Sequence, residues 1–219
     1  MFLFLPYRTD AYETHFPFGT ALVIALNVAV GLGMATMGLG GWVLEFGEIS
    51  PTQWIPAAFT HAGWMHLIGN MIFLWCFGQV VEGTVGTVRF LLFYLVTAAV
   101  QGLVYQLAAL GEVGGAVGAS GVVFGLLGAA LLWAPRTRVR TFTLVLFRPF
   151  LNEMSLPALG AVFAFLELLF LAVDHFQLGT AFFHVVGGVI GAGLAFVILK
   201  AGWVDCGGWD YVSLRHRRS

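Results

Sequence analysis

The sequence predicts an all-α membrane protein built as a bundle of six transmembrane helices. Three observations carry that reading. Of 219 residues, 59% are hydrophobic and only 10% charged, with a mean hydropathy of +0.91, whereas soluble domains run near half apolar and a quarter charged. The apolar residues gather into six runs, most of them near the ~20 residues that cross a hydrocarbon core. Finally, all ten Lys and Arg fall in stretches that a six-span count places on one face, as the positive-inside rule demands.

The runs lie at 19–37, 64–81, 88–110, 119–133, 156–173 and 181–199. They divide the chain into a cytoplasmic N-terminal segment 1–18, one membrane domain 19–200 and a cytoplasmic tail 201–219. Met1 to Pro6 are too few for a signal peptide's apolar core, and Arg8, Asp10 and Glu13 follow, so 19–37 is expected to be a retained span. The connection 38–60 is long, and its Trp42 and Trp54 are expected at the outer membrane–water interface. The connection 134–155 carries Arg136, Arg138, Arg140 and Arg148 and is expected to be a loop. With both termini inside, Glu45, Glu48, Glu112 and Asp174 face outward. The fourth run is short, about 22 Å of helix at 1.5 Å per residue against a core of ~30 Å. It must begin below the outer surface. Non-helical backbone at that depth has to be covered by protein or line a wet cavity, so the Gly-rich lead-in 111–118 implies a recess open to the outside.

Composition also excludes function classes. A net charge of −1 and a pI near 6.6 offer no basic surface, so nucleic acid is not an expected partner. Cys76 and Cys206 make no metal-ligand spacing, and neither a disulfide nor a metal is expected. His61 and His66 stand at i,i+5, off a shared helix face, with no thiolate or carboxylate nearby.

Polar residues inside spans are costly and mark function; here they are His66, Asn70, Glu82, Ser120, Glu167 and His184. The second, fourth and sixth spans all enter from outside, so His66, Ser120 and His184 converge at similar depth. Asn70 follows His66 by four residues and shares its helix face. A serine hydroxyl becomes a nucleophile when a neutral histidine takes its proton, and His184 stands at the matching depth. The Ser120 amide at a helix start, with the His66 and Asn70 side chains, could serve a developing oxyanion. Gly118 and Gly121 permit close backbone approach. Set against this, a serine among glycines is often only packing material. Glu82 is read as a loop-fixing hydrogen-bonder, and Glu167 has no partner legible in the sequence. His15, His175 and His216 are read as solvated, and Gly187 with Gly191 as a close-packing helix face.

The stretch His61-Ala62-Gly63-Trp64-Met65-His66-Leu67-Ile68-Gly69-Asn70-Met71 resembles the second-helix signature of rhomboid proteases. Gly118-Ala119-Ser120-Gly121 is similar to their nucleophile motif, and His184-Val185-Val186-Gly187 with Gly191 looks like their sixth-helix base motif. The resemblance implies a six-helix bundle and a Ser–His dyad with no required acid and no cofactor. It implies transmembrane protein substrates cut near the outer face of a lipid bilayer, the inner membrane of a bacterium being the expected one. Ser120 would attack, His184 would act as base and then acid, and His66, Asn70 and the Ser120 amide would form the oxyanion hole. His61 would be mainly structural. Two positions depart from the pattern. Trp54 is followed by Ile55 where many relatives have Arg, and Phe124 stands where many have Tyr, keeping a ring to pack on His184 but losing its hydroxyl. A silent relative that binds or routes transmembrane clients would lack the Ser or the His. A channel would show charge through the whole depth or repeated, interrupted spans.

Overall fold

The computed structural model describes residues 2–10, 16–37 and 42–216. His15 and positions 38–41 of the first outer connection lie outside them. Five helices are long and apolar enough to cross a membrane, namely α1 (Phe18–Met37), α3 (Trp64–Val85), α4 (Thr87–Ala108), α6 (Leu156–Val173) and α7 (Thr180–Lys200). A four-residue helix α2 (Pro51–Trp54) and a 3₁₀ turn (Pro56–Phe59) lie in the first outer connection, and α8 (Tyr211–His216) lies in the tail.

The short fourth run forms α5 (Ser120–Trp133), 14 residues long and about 21 Å at 1.5 Å per residue. Its Gly121, Val122, Val123, Gly125, Leu126, Leu127, Ala129, Ala130 and Trp133 are all buried. A helix apolar all round belongs in a protein interior. Being sheathed by its neighbours, α5 has no lipid thickness to match, which is why it can start at depth.

Glycine sets the distance between α5 and α7. The buried residues of α7 are Phe183, Gly187, Gly191 and Ala195, one every fourth position, a stripe of the small-xxx-small kind that lets backbones touch. A Cβ on Gly187 would fall 2.5 Å from the Gly121 carbonyl oxygen, and one on Gly191 would overlap the Gly125 backbone. The Trp133 indole closes the far end, donating to the Ala195 carbonyl at 3.0 Å.

The connection 134–155, expected as a loop, instead forms a β-hairpin that joins residues of the N-terminal segment in an antiparallel sheet. Its strands β1 (Phe2–Thr9), β4 (Arg138–Val145) and β5 (Arg148–Ser155) lie in the order β1-β4-β5. Along β4, Val139 and Thr141 are buried while Arg138 and Arg140 are exposed, the period-2 alternation of a half-buried strand. Thr9 ties the sheet to the bundle, donating to Gln79 Oε1 at 3.2 Å. Glu153 pairs with Arg138 at 3.1 Å and Arg140 at 3.7 Å, but exposed pairs of this kind contribute at most about 1 kcal/mol.

Glu82 does more than fix a loop. Its Oε1 accepts from the Gly19 amide at 2.8 Å and the Thr87 hydroxyl at 2.6 Å, and its Oε2 from the Thr20 amide at 2.7 Å and hydroxyl at 2.8 Å. One buried carboxylate thus satisfies orphan donors at the start of α1, where the helix dipole favours an anion, and fixes the start of α4.

Candidate active site

The site forms where α3, α5 and α7 begin. Strand β2 (Leu44–Glu45) pairs with β3 (Gly115–Ala116) and thereby ties the first outer connection to the chain leading into α5. Gly118 then takes a φ of +116°, a region suited to glycine, and its amide donates to the Ala57 carbonyl at 3.0 Å. The turn cannot carry a side chain: a Cβ on Gly118 would meet His66 Cε1 at 2.6 Å, His66 Nε2 at 2.8 Å and Asn70 Nδ2 at 3.4 Å. His66 and Asn70 therefore both look at the backbone immediately before Ser120.

His61 is buried and accepts from the Ala119 amide through Nε2 at 3.5 Å. Its ring meets the His66 ring edge-on at 5.1 Å. Burial, and to a lesser degree the neighbouring His66, lower the His61 pKa to about 4. A neutral ring suits a residue that accepts from a backbone amide, a holding role rather than proton transfer.

Ser120 opens α5, where first-turn amides have no intrahelical partner. A cavity of about 560 Å³ is walled by Ser120, His184, His66, Gly118, Trp54 and Phe183 among others. His184 stacks on Phe124 with centroids 4.4 Å apart and planes 15° apart. Its Nδ1 lies 2.9 Å from Glu167 Oε1, so the partner missing from the sequence reading of Glu167 is His184. Nε2 of His184 and Nδ2 of Asn70 are buried without a hydrogen-bond partner among the described residues. Nε2 thus makes no hydrogen bond to Ser120, although both residues border the one cavity. Orphaned buried polar atoms are rare and call for a functional account.

The other expected residues fall into two groups. Gly121, Gly187 and Gly191 belong to the α5–α7 contact that brings Ser120 and His184 together. Glu82 is remote, at the far end of α3. Cys76 and Cys206 are free thiols, and His175 is exposed.

Two residues around the site escaped the sequence reading. Gln101 donates through Nε2 to the Gly121 carbonyl at 2.8 Å and the Gly187 carbonyl at 3.5 Å, bonding both helices of the glycine seam. Gln106 accepts through Oε1 from the Trp54 indole at 2.7 Å and the Ser50 amide at 2.9 Å, and donates to the Glu45 carbonyl at 2.9 Å. Trp54 is therefore half-buried and seated against Gly102, where a Cβ would fall 2.5 Å from its own. Trp42, by contrast, is 53% exposed. With Ile55 in place of an arginine, Gln106 anchors the outer connection. Both glutamines sit inside an apolar run, the same signal that singled out Asn70.

Known proteins resemble this chain in sequence. Rhomboid-like protein 11, chloroplastic, of Arabidopsis thaliana is 42% identical over 80 residues, 36% of this chain and 28% of its own. Rhomboid protein 1, mitochondrial, of Saccharomyces cerevisiae is 34% identical over 93 residues, 40% and 27% of the respective chains. Rhomboid protease GlpG of Yersinia pestis is 26% identical over 164 residues, 74% of this chain and 54% of its own. The chain thus spans from about a quarter to about half the length of these relatives. The family model for the rhomboid domain matches residues 48–201, well over half of the chain. An integral membrane protein with this match and this helical bundle belongs to the rhomboid family.

Proposed function

We propose that this protein is an intramembrane serine protease that hydrolyses peptide bonds of transmembrane protein substrates near the outer face of the membrane. Ser120 is the nucleophile, and His184 takes its proton and returns it to the leaving amine. The tetrahedral oxyanion is received by the Ser120 amide, Asn70 Nδ2 and His66. No cofactor is called for. The observation that carries the reading is the orphaned His184 Nε2 in a residue that walls the cavity where Ser120 stands, together with the orphaned Asn70 Nδ2 aimed at the Gly118 turn that leads into Ser120. These are the two polar functions that acyl transfer needs beside a nucleophile. A small rotation of the Ser120 side chain on substrate binding completes the hydrogen bond to Nε2, since catalytic bonds are often open in the free enzyme.

By the positive-inside rule both termini and the connection 134–155 should lie in the cytoplasm, as in a bacterial inner membrane. The test is labelling of the purified full chain by a fluorophosphonate probe. Labelling at Ser120 that disappears in Ser120→Ala and in His184→Ala supports the protease. A folded wild type that resists the probe and leaves transmembrane substrates intact would be a silent rhomboid that binds clients.

A further inference from the structure

Helix α6 carries a single ionisable residue, Glu167, in the sequence LPALGAVFAFLELLFLAV. Around it, Phe165, Leu166, Leu168, Leu169 and Phe170 are exposed on the bundle surface and would face lipid, a setting where an unpaired carboxylate is strongly disfavoured. Glu167 instead turns inward to His184, at 2.9 Å, with both side chains about 15% exposed. The same imidazole has Phe124 against its face. Held on one face and at Nδ1, the ring leaves Nε2 as its one unpartnered polar atom.

We propose that Glu167 is a positioning residue that turns the Ser120–His184 pair into a Ser–His–Glu relay, a reading that rests on the protease function above. A carboxylate only accepts hydrogen bonds, so pairing with Glu167 keeps the imidazole proton on Nδ1 and the lone pair on Nε2. In the acylation step Ser120 Oγ forms a bond to the substrate carbonyl carbon while its proton moves to Nε2. The resulting imidazolium is flanked by the Glu167 carboxylate, which stays ionised and takes no proton. Collapse of the tetrahedral intermediate breaks the C–N bond, and the Nε2 proton passes to the leaving amine nitrogen. Water then attacks the acyl carbon while giving a proton to the same Nε2, and as the C–Oγ bond breaks that proton passes to Ser120 Oγ, releasing the carboxylic acid and restoring the serine. This is the role an aspartate has in soluble serine proteases. It differs from the acid-free dyad that the family resemblance implies.

The test measures fluorophosphonate labelling, cleavage of a model transmembrane substrate and thermal melting for wild type, Glu167→Gln and Glu167→Asp. Glu167→Gln is expected to lower kcat by up to about 10⁴-fold, the size of the loss when the acid of a soluble triad is changed, with KM within about twofold because the effect acts on the reacting geometry. Glu167→Asp keeps the charge and should recover part of the loss. A wild type that labels while Glu167→Gln turns over at the same rate per folded molecule would overturn the role of Glu167 and leave the dyad standing. A loss of activity that only tracks lost folded protein would also overturn it. A wild type that does not label at Ser120 would take down the protease reading and the relay with it. Independently of activity, ¹⁵N-histidine spectra should find the His184 proton on Nδ1 in the wild type, and a proton on Nε2 instead would refute the relay.

Discussion

Gly191 of α7 rests directly on the backbone of Gly125 of α5, with no room for a Cβ between them. One turn earlier Gly187 meets Gly121 in the same way, and Ser120 and His184 stand just beyond. The separation of Ser120 from His184 is therefore set by this glycine seam. Gly191→Val should push α7 off α5, costing about 1–3 kcal/mol or more, as overpacking does, and should lower probe labelling as His184 retreats. Gly193, on the same helix, has nothing within 4 Å of its would-be Cβ. Gly193→Ala should leave labelling intact and raise stability by up to ~1 kcal/mol through helix propensity. Melting curves and labelling rates of the two variants in detergent decide the matter, and equal behaviour of both would remove the seam from the explanation.

Ser120 and His184 are expected to act as one unit. Either alanine variant should reduce substrate cleavage to background, and the double variant should be no worse than the singles, since triad members in a soluble protease show gross non-additivity. Expression and melting temperature of Ser120→Ala should change little, because Ser120 makes no side-chain hydrogen bond among the described residues. Cleavage by purified Ser120→Ala near the wild-type rate would end the assignment.

Hydropathy made the membrane-spanning runs legible because bilayer thickness imposes a length on each of them. The site was legible for the related reason that His66, Asn70, Ser120 and His184 are polar where polarity is costly. Pairing was harder to read. Glu167 and His184 lie on different helices, and sequence spacing carries no distance between them. The β4–β5 hairpin escaped because its turn residues, Leu146 and Phe147, have positive φ values of 46° and 67° without the Asn-Gly or Asp-Gly that usually announces such a turn. The alternation Arg138, Val139, Arg140, Thr141 was the available signal.

Gln106 holds the first outer connection through four bonds, to Ser50, Trp54, Glu45 and Gln53, so Gln106→Leu leaves the Trp54 indole, the Ser50 amide and the Glu45 carbonyl without this partner. Each unsatisfied group costs about 1–3 kcal/mol where water cannot reach it. The loss should appear as local opening rather than global unfolding, because α4 keeps its other packing. Limited proteolysis between positions 44 and 56 should accelerate, with a red shift of Trp54 emission. Unchanged nicking and emission would mean that the β2–β3 pairing anchors the connection unaided.

His61 gives the fold a defined acid sensitivity. Its pKa is near 6.5 in an unfolded chain and about 4 in the folded one. In that interval the unfolded state binds the proton and the folded state does not, so stability falls as pH drops. The His61 contribution is complete above pH 6.5, declines by about 1.4 kcal/mol per pH unit at most, and is exhausted by pH about 4. Melting temperatures across that window should fall for the wild type and fall less steeply for His61→Phe. Parallel curves would assign the acid response to other groups.

Asn70 separates a catalytic donor from a packing residue. It lies one turn after His66 on α3, is 7% exposed, and holds its Nδ2 toward Gly118 with no acceptor among the described residues. A structural asparagine would have spent that donor on a neighbouring helix; on the proposed function this donor is free for a group that arrives with the substrate. The oxyanion gains its charge only as Ser120 attacks, so the bond is strongest in the transition state and should be seen in kcat rather than KM. Removing one such donor from a soluble protease costs roughly 10²–10³ in kcat, and Asn70→Ala is expected to fall in that range while the Ser120 amide and His66 sustain the remainder. Because the Nδ2 atom has no protein partner to lose, the melting temperature should hold or rise. A depressed melting temperature with unchanged turnover per folded molecule would make Asn70 a packing residue and leave His66 and the Ser120 amide as the oxyanion donors.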